Sequence, residues 1–273
     1  MVCRCWLAPG RRFYKRADEV LAPDELLNLT AFDSVLTTRT IMNSHSARSA
    51  MQSREFVAFI AALMAVNALG VDLMLPALAD IGSDLNITAA NHRQWIVSVY
   101  MLGFGAGQLV YGPLADRYGR RPILIFTLIG FVCASIFAAS SETFSGLLGA
   151  RLLQGLMSAS TRVVSVAIVR DHLSGRQMAR TMSVAQMIFF VVPIMAPTVG
   201  EVLLAFGPWR FIFYALGGWA AFVLAWTVVR ASESLPVACR IPISIANLRN
   251  NYHQILTNRY SVGYAVASSL SFG

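Results

Sequence analysis

Four ionisable side chains stand inside long apolar stretches of this sequence, where charge is costly and therefore informative. They are Asp72, Arg151, Arg162 and Glu201. An ionised side chain near the centre of a lipid bilayer costs roughly 2.5–3.5 kcal/mol on insertion scales, so such groups face protein or water and mark paths for ions or solutes. A carboxylate in that setting can bind and release a proton. These four residues are the first candidates for a functional site.

Two of these residues belong to one polar stripe on the fourth apolar run. Its members recur at offsets of 0, 3, 4, 7, 11 and 14 and are Arg151, Gln154, Gly155, Ser158, Arg162 and Ser165. That spacing defines one face of a helix. Because two arginines are hard to satisfy without water, we predict that the stripe faces a substrate cavity. The predicted cavity residues are Asn67, Gln154, Ser158, Arg162 and Ser165. A buried packing seam with satisfied side chains is the alternative.

Asp72 and Arg151 are predicted to lie at similar depth in the membrane. Asp72 is in the outer third of the first run, and Arg151 is about two turns into the fourth run from its outer side. A carboxylate subject both to desolvation and to a nearby arginine suits proton binding and release. We therefore predict that Asp72 and Arg151 couple protons, with a static ion pair as the alternative. Pro76 follows one turn after Asp72 and can kink or end the helix.

The fifth run contains two prolines in the stretch PIMAPTVGE. Each proline breaks a backbone hydrogen bond, which neighbouring helices or water must replace. We predict a bent gating helix, and a fixed kink fits the pattern equally well. The residues concerned are Pro193, Pro197, Gly200 and Glu201.

A short charged connection, GPLADRYGRRPIL, separates the second and third runs. Asp116 stands at the C-terminal end of a helix, where the macrodipole disfavours an anion, so it needs cationic partners. We predict a charge latch that breaks and reforms as two halves of the molecule rock. A topology anchor that obeys the positive-inside rule is the simpler alternative, and one cluster can serve both roles. The latch residues are Gly112, Asp116, Arg117, Gly119, Arg120 and Arg121.

Helices that cross a membrane must position these residues. Of 273 residues, 56% are hydrophobic and 13% charged, against about 25% charged in a soluble domain. A spanning helix needs about 20 mainly apolar residues. Six runs qualify, at about 55–77, 94–115, 122–140, 143–169, 180–205 and 210–230. A seventh opens near Tyr260 and is cut off at Gly273, so we interpret the chain as an all-α, polytopic half of a larger bundle with an incomplete seventh helix.

The distribution of arginine predicts the orientation of the chain. Links 116–121, 170–180 and 230–259 hold ten arginines, whereas the other links hold two. Positive loops stay cytoplasmic, so the N-terminus is expected inside. We divide the chain into a disordered or misassigned N-terminal extension, a six-helix transmembrane domain, a cytoplasmic central loop and the start of a truncated seventh helix. These segments cover residues 1–53, 54–230, 231–259 and 260–273.

Other classes of function find little support. The net charge of +8 does not indicate nucleic acid binding, because the arginines fall between apolar runs rather than on one basic face. The sequence contains no H-E-x-x-H, G-x-S-x-G or P-loop motif, and its histidines and cysteines have no metal-ligand spacing. We expect neither an enzyme nor a bound metal or cofactor.

Several motifs match a known family. GPLADRYGRRP resembles the loop motif of the major facilitator superfamily, and RLLQGLMSASTRVVSVAIVRD resembles its fourth-helix motif at Arg151, Gln154 and Gly155. PIMAPTVGE resembles the fifth-helix motif of its antiporters, with Glu201 where the family has glycine. GVDLMLPALADI resembles the first helix of the bicyclomycin/chloramphenicol resistance (Bcr/CflA) drug:proton antiporters, and WRFIFY, SESLP and NRYSVGYAVASSLSFG agree with that group.

This resemblance, over about residues 54–273, implies a twelve-helix fold of which the chain holds the first half and a fragment of the second. It implies proton-coupled efflux of drugs or other small amphipathic molecules across the inner membrane, with Asp72 as proton carrier and Arg151 linked to coupling. Expected partners are a drug-like molecule, protons and membrane lipid, without nucleic acid, and the full-length protein is expected to be monomeric. Export of an endogenous metabolite or siderophore, and a non-transporting fragment, remain as alternatives.

Overall fold

Every regular element in the described part of the chain is helical. The structure is a computed structural model that describes residues 53–87, 90–236, 240, 254 and 257–272. These residues form eight α-helices and one 3₁₀ turn. In chain order the elements are α1 (Ser53–Asp72), the 3₁₀ turn (Leu75–Ala77), α2 (Leu78–Asp84), α3 (Ala90–Tyr118), α4 (Arg120–Ala139), α5 (Phe144–His172), α6 (Gly175–Phe206), α7 (Arg210–Arg230) and α8 (Arg259–Phe272).

Six helical segments among the described residues are long and apolar enough to cross a membrane. The first runs from Arg54 to Asp84 and comprises α1, the 3₁₀ turn and α2, while α3 to α7 supply one span each. At 1.5 Å per residue, even the shortest of them, the 20 residues of α4, covers the roughly 30 Å of a hydrocarbon core. The chain is a multi-pass membrane protein, and the predicted all-α class with six spans is confirmed.

The first span is broken near Pro76. Helix α1 ends at Asp72, and the 3₁₀ turn that follows has Pro76 in its first residues. Proline has no N–H to donate and its ring clashes with the preceding turn, which explains the break. The last carbonyls of α1 then lack partners within the helix and can accept hydrogen bonds from side chains.

The core of the bundle lies along α5. Helix α5 packs lengthwise against α3 and also against α4, and α4 packs in turn against α7. Small residues permit the closest approach: a Cβ on Gly155 would overlap the Tyr100 carbonyl of α3, and a Cβ on Gly103 of α3 would overlap the Leu152 carbonyl of α5. Close approach of this kind is how membrane helices gain packing energy without a hydrophobic driving force between them. The packing fixes the rotation of α5 and hence the direction of its polar stripe.

Helix α6 is the least buried of the six spans. It continues as one helix through Pro193 and Pro197, and its buried residues are Thr181, Ala185, Ala196 and Gly200. Gly200 meets the first span at its break, because a Cβ there would lie 2.8 Å from Cγ of Pro76. The predicted gating helix therefore touches the rest of the bundle at the interruption of the first span.

The chain divides into two units, residues 1–56 and 57–273. The described residues of the first unit are 53–56, which begin α1. The predicted extension at 1–53, apart from its last residue, and most of the predicted central loop at 231–259 lie outside the described residues. Helix α8 coincides with the predicted start of a seventh helix, and the division into four segments stays a prediction.

Candidate functional site: a polar stripe and a charge cluster

The polar stripe of α5 is split by burial. Arg151, Gln154, Ser158 and Ser165 have 0% exposure, whereas Arg162 is only partly buried. Helix α5 begins at an N-cap, where the Thr143 hydroxyl accepts a hydrogen bond from the Gly146 amide at 3.2 Å. Because a helix is rigid, that start and the packing against α3 set where each member of the stripe points. One part of the stripe faces protein and another part faces a cavity.

Arg151 lies at the end of α1 and holds that end in position. Its Nη1 donates to the Gly70 carbonyl at 3.1 Å and to Gln154 Oε1 at 3.0 Å, and its Nη2 contacts Sδ of Met74. The Phe213 ring lies 4.5 Å from the guanidinium carbon. A cation near the C-terminal end of a helix is stabilised by the macrodipole, and an aromatic face adds a cation–π attraction. Arg151 thus joins α1, α5 and α7.

A second buried group extends the network from Arg151. The Tyr100 hydroxyl donates to Ser158 Oγ at 2.9 Å and lies 3.2 Å from Asn67 Oδ1. On the other side of the stripe, Gln154 Nε2 donates to Ser135 Oγ at 2.7 Å. These contacts fit the packing seam that is the alternative for this part of the stripe, although the buried Nε of Arg151 has no hydrogen-bond partner among the described residues. The assignment of Asn67, Gln154, Ser158 and Ser165 to a substrate cavity stays a prediction.

Asp72 is the last residue of α1 and is partly buried. Arg151 bonds the backbone of Gly70, two residues earlier, and within the described part of the chain no ion pair joins Asp72 to Arg151. Arg151 therefore contacts the helix end that carries Asp72. Proton coupling by Asp72 and Arg151 stays a prediction.

The charged connection forms a cluster at one end of the bundle, called the latch end here. Arg120 Nη1 lies 2.6 Å from Asp116 Oδ1 and Arg120 Nε lies 3.3 Å from Asp171 Oδ2. The Ser234 hydroxyl also donates to Asp171, at 3.0 Å. Arg120 is largely buried, its side chain being 11% exposed. The cluster thus links the end of α3, the start of α4, the end of α5 and the segment after α7.

Glu233 caps the start of α4 within the same cluster. Its two carboxylate oxygens accept from the backbone N–H of Arg120 at 2.8 Å and of Arg121 at 3.2 Å. The N-terminal amides of a helix have no partner within it, and a carboxylate there is favoured by the macrodipole. Gly119 makes the approach possible: its φ of +104° suits glycine, and a Cβ would lie 2.6 Å from the Glu233 carboxylate.

The sequence analysis missed part of this cluster and included one residue outside it. Asp171, Glu233 and Ser234 were not predicted, although they stand in the stretches VRD and SESLP that the family comparison had quoted. Arg117 is exposed and lies over the ring of Tyr118, 5.3 Å from its centroid. Gly112 has open space around the position of a Cβ. The latch function of the predicted residues stays a prediction.

Arg162 lines a cavity that opens toward the latch end. The cavity has a volume of about 380 Å³, and its lining consists of Gln108, Gly112, Asp116, Arg120, Arg162, Val163, Val166, Ala167 and Arg170. The guanidinium carbon of Arg162 lies 4.9 Å from the ring centroid of Phe189 on α6. Arg162 therefore lines a space between helices that has both polar and apolar walls, and its assignment to a substrate cavity stays a prediction.

The opposite end of the bundle has its own polar cluster, which the sequence analysis did not predict. Asp84 Oδ2 accepts from Trp209 Nε1 at 2.9 Å and from Arg210 Nη1 at 2.7 Å. The Arg210 guanidinium also reaches the Ser141 carbonyl at 3.4 Å. This cluster joins the end of α2, the connection before α5 and the start of α7. Glu201, the acidic residue of the predicted gating helix, is exposed.

Known proteins share this architecture. Residues 60–272 match the family model described as Major Facilitator Superfamily. The chain is 33% identical over 210 residues to multidrug resistance protein MdtL of Escherichia coli K12, covering 77% of this chain and 52% of MdtL. It is 32% identical over 225 residues to YdgK of Bacillus subtilis, named an uncharacterized MFS-type transporter, covering 81% of this chain and 56% of YdgK.

A solved structure has the same fold. The human organic anion transporter MFSD10 superposes with a TM-score of 0.57 at 20% identity, covering 72% of this chain and 53% of that one. The chain spans about half the length of the curated relatives it matches. The family match extends over most of the sequence and agrees with the six helical spans. The chain belongs to the Major Facilitator Superfamily.

Proposed function

We propose that this chain provides a six-helix unit of a proton-coupled exporter of drugs or similar small amphipathic molecules, of the Bcr/CflA type. The observation that carries the proposal is the 33% identity to a multidrug resistance protein over 77% of the chain. The geometry supports it, since a cavity with a membrane-embedded arginine opens beside a cluster of charges. Such an arrangement suits a carrier better than a passive membrane anchor.

In the proposed mechanism the latch end faces the cytoplasm and the protein resides in the inner membrane. Asp116, Arg120 and Asp171 join the ends of α3, α4 and α5 in one conformation of the transporter. Because ion pairs near the surface are individually weak, about 0–1 kcal/mol, the cluster can break and reform as the transporter changes conformation. Glu233 keeps the start of α4 fixed during that change, so the movement is confined to the side chains that pair across helices.

Asp72 is the proposed proton carrier, and Arg151 is the proposed coupling residue. Arg151 is bonded to the backbone of α1 two residues before Asp72, so a shift of that helix end moves the carboxylate and the arginine together. Protonation of Asp72 removes a charge beside the break at Pro76 and changes how easily that end can move. The partners in this mechanism are a drug-like solute, protons and membrane lipid, and the full-length protein works as a monomer.

Drug-stimulated proton flux in everted membrane vesicles tests the proposal. The full-length gene product is expressed in a strain that lacks its own drug pumps, and the pH inside the vesicles is followed with a fluorescent dye. We expect an uncharged amphipathic drug such as chloramphenicol to release protons from acidified vesicles. We expect Asp72→Asn to abolish that release while the protein still inserts at the normal level, because an amide cannot take up the proton.

Asp80→Asn is the matched control. Asp80 lies in the same broken span but is exposed on α2, so this variant should retain proton flux. Normal flux in Asp72→Asn would remove Asp72 from the mechanism, and absence of any drug-dependent flux in the wild type would remove the antiport proposal itself.

A further inference from the structure

Arg162 is a cation in a membrane span without a carboxylate partner in the described part of the chain. We infer that it selects substrates that carry a carboxylate, binding that group in the cavity next to α5. This inference rests on the proposed export function and specifies its substrate class. The proposed ligand is a solute rather than a lipid, because Arg162 lies deeper in the membrane than the lipid headgroups.

The position of Arg162 puts its charge well inside the membrane. It precedes the end of α5 at His172 by ten residues, which is about 15 Å along a helix axis. The 29 residues of α5 extend over about 44 Å, which exceeds a hydrocarbon core of about 30 Å by about 14 Å. With that excess shared between its two ends, Arg162 lies about 8 Å inside the core, below the level of the lipid headgroups. Charge is disfavoured at that depth, so a bound anion would compensate a cation that is already there.

The contacts of Arg162 leave it able to bind a ligand. The guanidinium carbon of Arg162 lies over the ring of Phe189, 4.9 Å from its centroid, and such a contact favours stacking of the guanidinium on the ring. A guanidinium donates hydrogen bonds from its edge, in a fork that matches the two oxygens of a carboxylate. An aromatic ring against the face leaves that edge free. Phe189 thus orients Arg162 without neutralising it.

The cavity has the size and the lining of a site for an amphipathic anion. Its volume of about 380 Å³ lies within the range of about 300–1,000 Å³ that is usual for small-molecule sites. Val163, Val166 and Ala167 line it with apolar surface beside the arginine. A molecule with an apolar body and one carboxylate would satisfy both parts of the lining.

The charges that face the cavity favour an anion over a cation. One carboxylate, Asp116, and three arginines line it. Asp116 is paired with Arg120 at 2.6 Å, which leaves Arg162 and Arg170 as the uncompensated lining charges. A cationic solute would be repelled by both, whereas a carboxylate would meet Arg170 near the mouth and Arg162 at depth.

Two fluorescent probes that differ in one group test the inference. Dansyl-glycine carries a carboxylate, and dansyl-glycinamide is its neutral counterpart. Binding is measured by dansyl fluorescence to the purified full-length gene product in phosphatidylcholine nanodiscs. We expect the wild type to prefer dansyl-glycine by about tenfold, which corresponds to about 1.4 kcal/mol. Arg162→Gln should remove that preference by weakening dansyl-glycine binding alone, and Arg162→Lys should keep most of it.

Arg176→Gln is the matched control, because Arg176 is an exposed arginine of α6 outside the cavity lining; its preference should equal that of the wild type. Equal binding of both probes by the wild type would overturn the inference, as would a preference that survives Arg162→Gln. If Arg162→Gln loses binding of both probes, the inference is overturned as well, since that result indicates a structural role for Arg162.

A third arm distinguishes a solute from a lipid headgroup. Phosphatidylglycerol added to the nanodiscs should leave the preference for dansyl-glycine unchanged. Loss of that preference would indicate that Arg162 binds a lipid headgroup instead. Vesicle export of the uncharged drug chloramphenicol separates this inference from the proposed function. Export without a carboxylate preference overturns only the inference, whereas a carboxylate preference in a protein that exports nothing overturns only the proposed function.

Discussion

Two arginines on the same face of α5 have opposite environments. Arg151 has 0% exposure and is surrounded by the backbone of α1, by Gln154 and by an aromatic ring. Arg162, three turns further along the helix, is partly exposed and has one ring against it beside an open cavity. An arginine in a membrane span can therefore hold helices together or keep its N–H groups available to other molecules. Which of the two applies depends on how many of its hydrogen-bond donors the protein already uses.

The largest expected difference lies in stability. Arg151→Gln should lower the free energy of unfolding by about 3 kcal/mol, because it removes the hydrogen bonds to Gly70 and Gln154 and the contact with Phe213 that join three helices and leaves buried acceptors without a donor. Arg162→Gln should change the free energy by less than about 1 kcal/mol, since water already reaches that position. Thermal unfolding of the two variants in detergent measures the difference. Equal shifts of the unfolding temperature would contradict the different roles of Arg151 and Arg162.

A second pair of variants tests whether close packing fixes the buried part of the stripe. Gly155→Ala should lower the free energy of unfolding by about 1–3 kcal/mol, because its Cβ would overlap the Tyr100 carbonyl on α3 and force the helices apart. Gly149→Ala on the same helix has open space at the Cβ position and should be neutral or stabilising. The same unfolding assay applies, and a tolerated Gly155→Ala would argue against tight α3–α5 contact.

The smallest expected effect concerns the ring beside each arginine. Phe213→Leu should lower the free energy of unfolding by about 1 kcal/mol more than Phe189→Leu, because a cation–π contact is worth about 2 kcal/mol when desolvated and about 0.5–1 kcal/mol when exposed. Phe213 has 0% exposure and Phe189 is partly exposed. A larger effect at Phe189 would reverse the roles assigned to the two arginines.

Several features followed from neighbouring residues alone. The six spans were predictable because an uninterrupted apolar run of sufficient length has few other stable environments. The break at Pro76 and the turn at Gly119 were equally local, since each depends on the covalent structure of one residue. The stripe on α5 followed from helical periodicity. In these cases the physical cause acts within a few residues of sequence.

The partners of the polar residues did not follow from the sequence. The Arg151 side chain donates a hydrogen bond to the carbonyl of Gly70, 81 positions away. The backbone N–H of Arg120 donates to the carboxylate of Glu233, 113 positions away. Such contacts depend on the rotation and axial offset of each helix relative to its neighbours. Polar side chains on several helices would have matched the pattern equally well. Asp171 and Glu233 stand in the stretches VRD and SESLP, but those stretches do not indicate which residue is the partner of either carboxylate.

The sequence by itself determined that this chain forms apolar membrane-spanning helices and that a few of them carry ionisable side chains within the apolar run. Both features are local, because they depend only on the length of the hydrophobic run and on helical periodicity. Only the tertiary structure decided which charge is enclosed and which remains open to a cavity. The close approach of α3 and α5 buries most of the polar stripe, while the looser contact with α6 leaves Arg162 accessible.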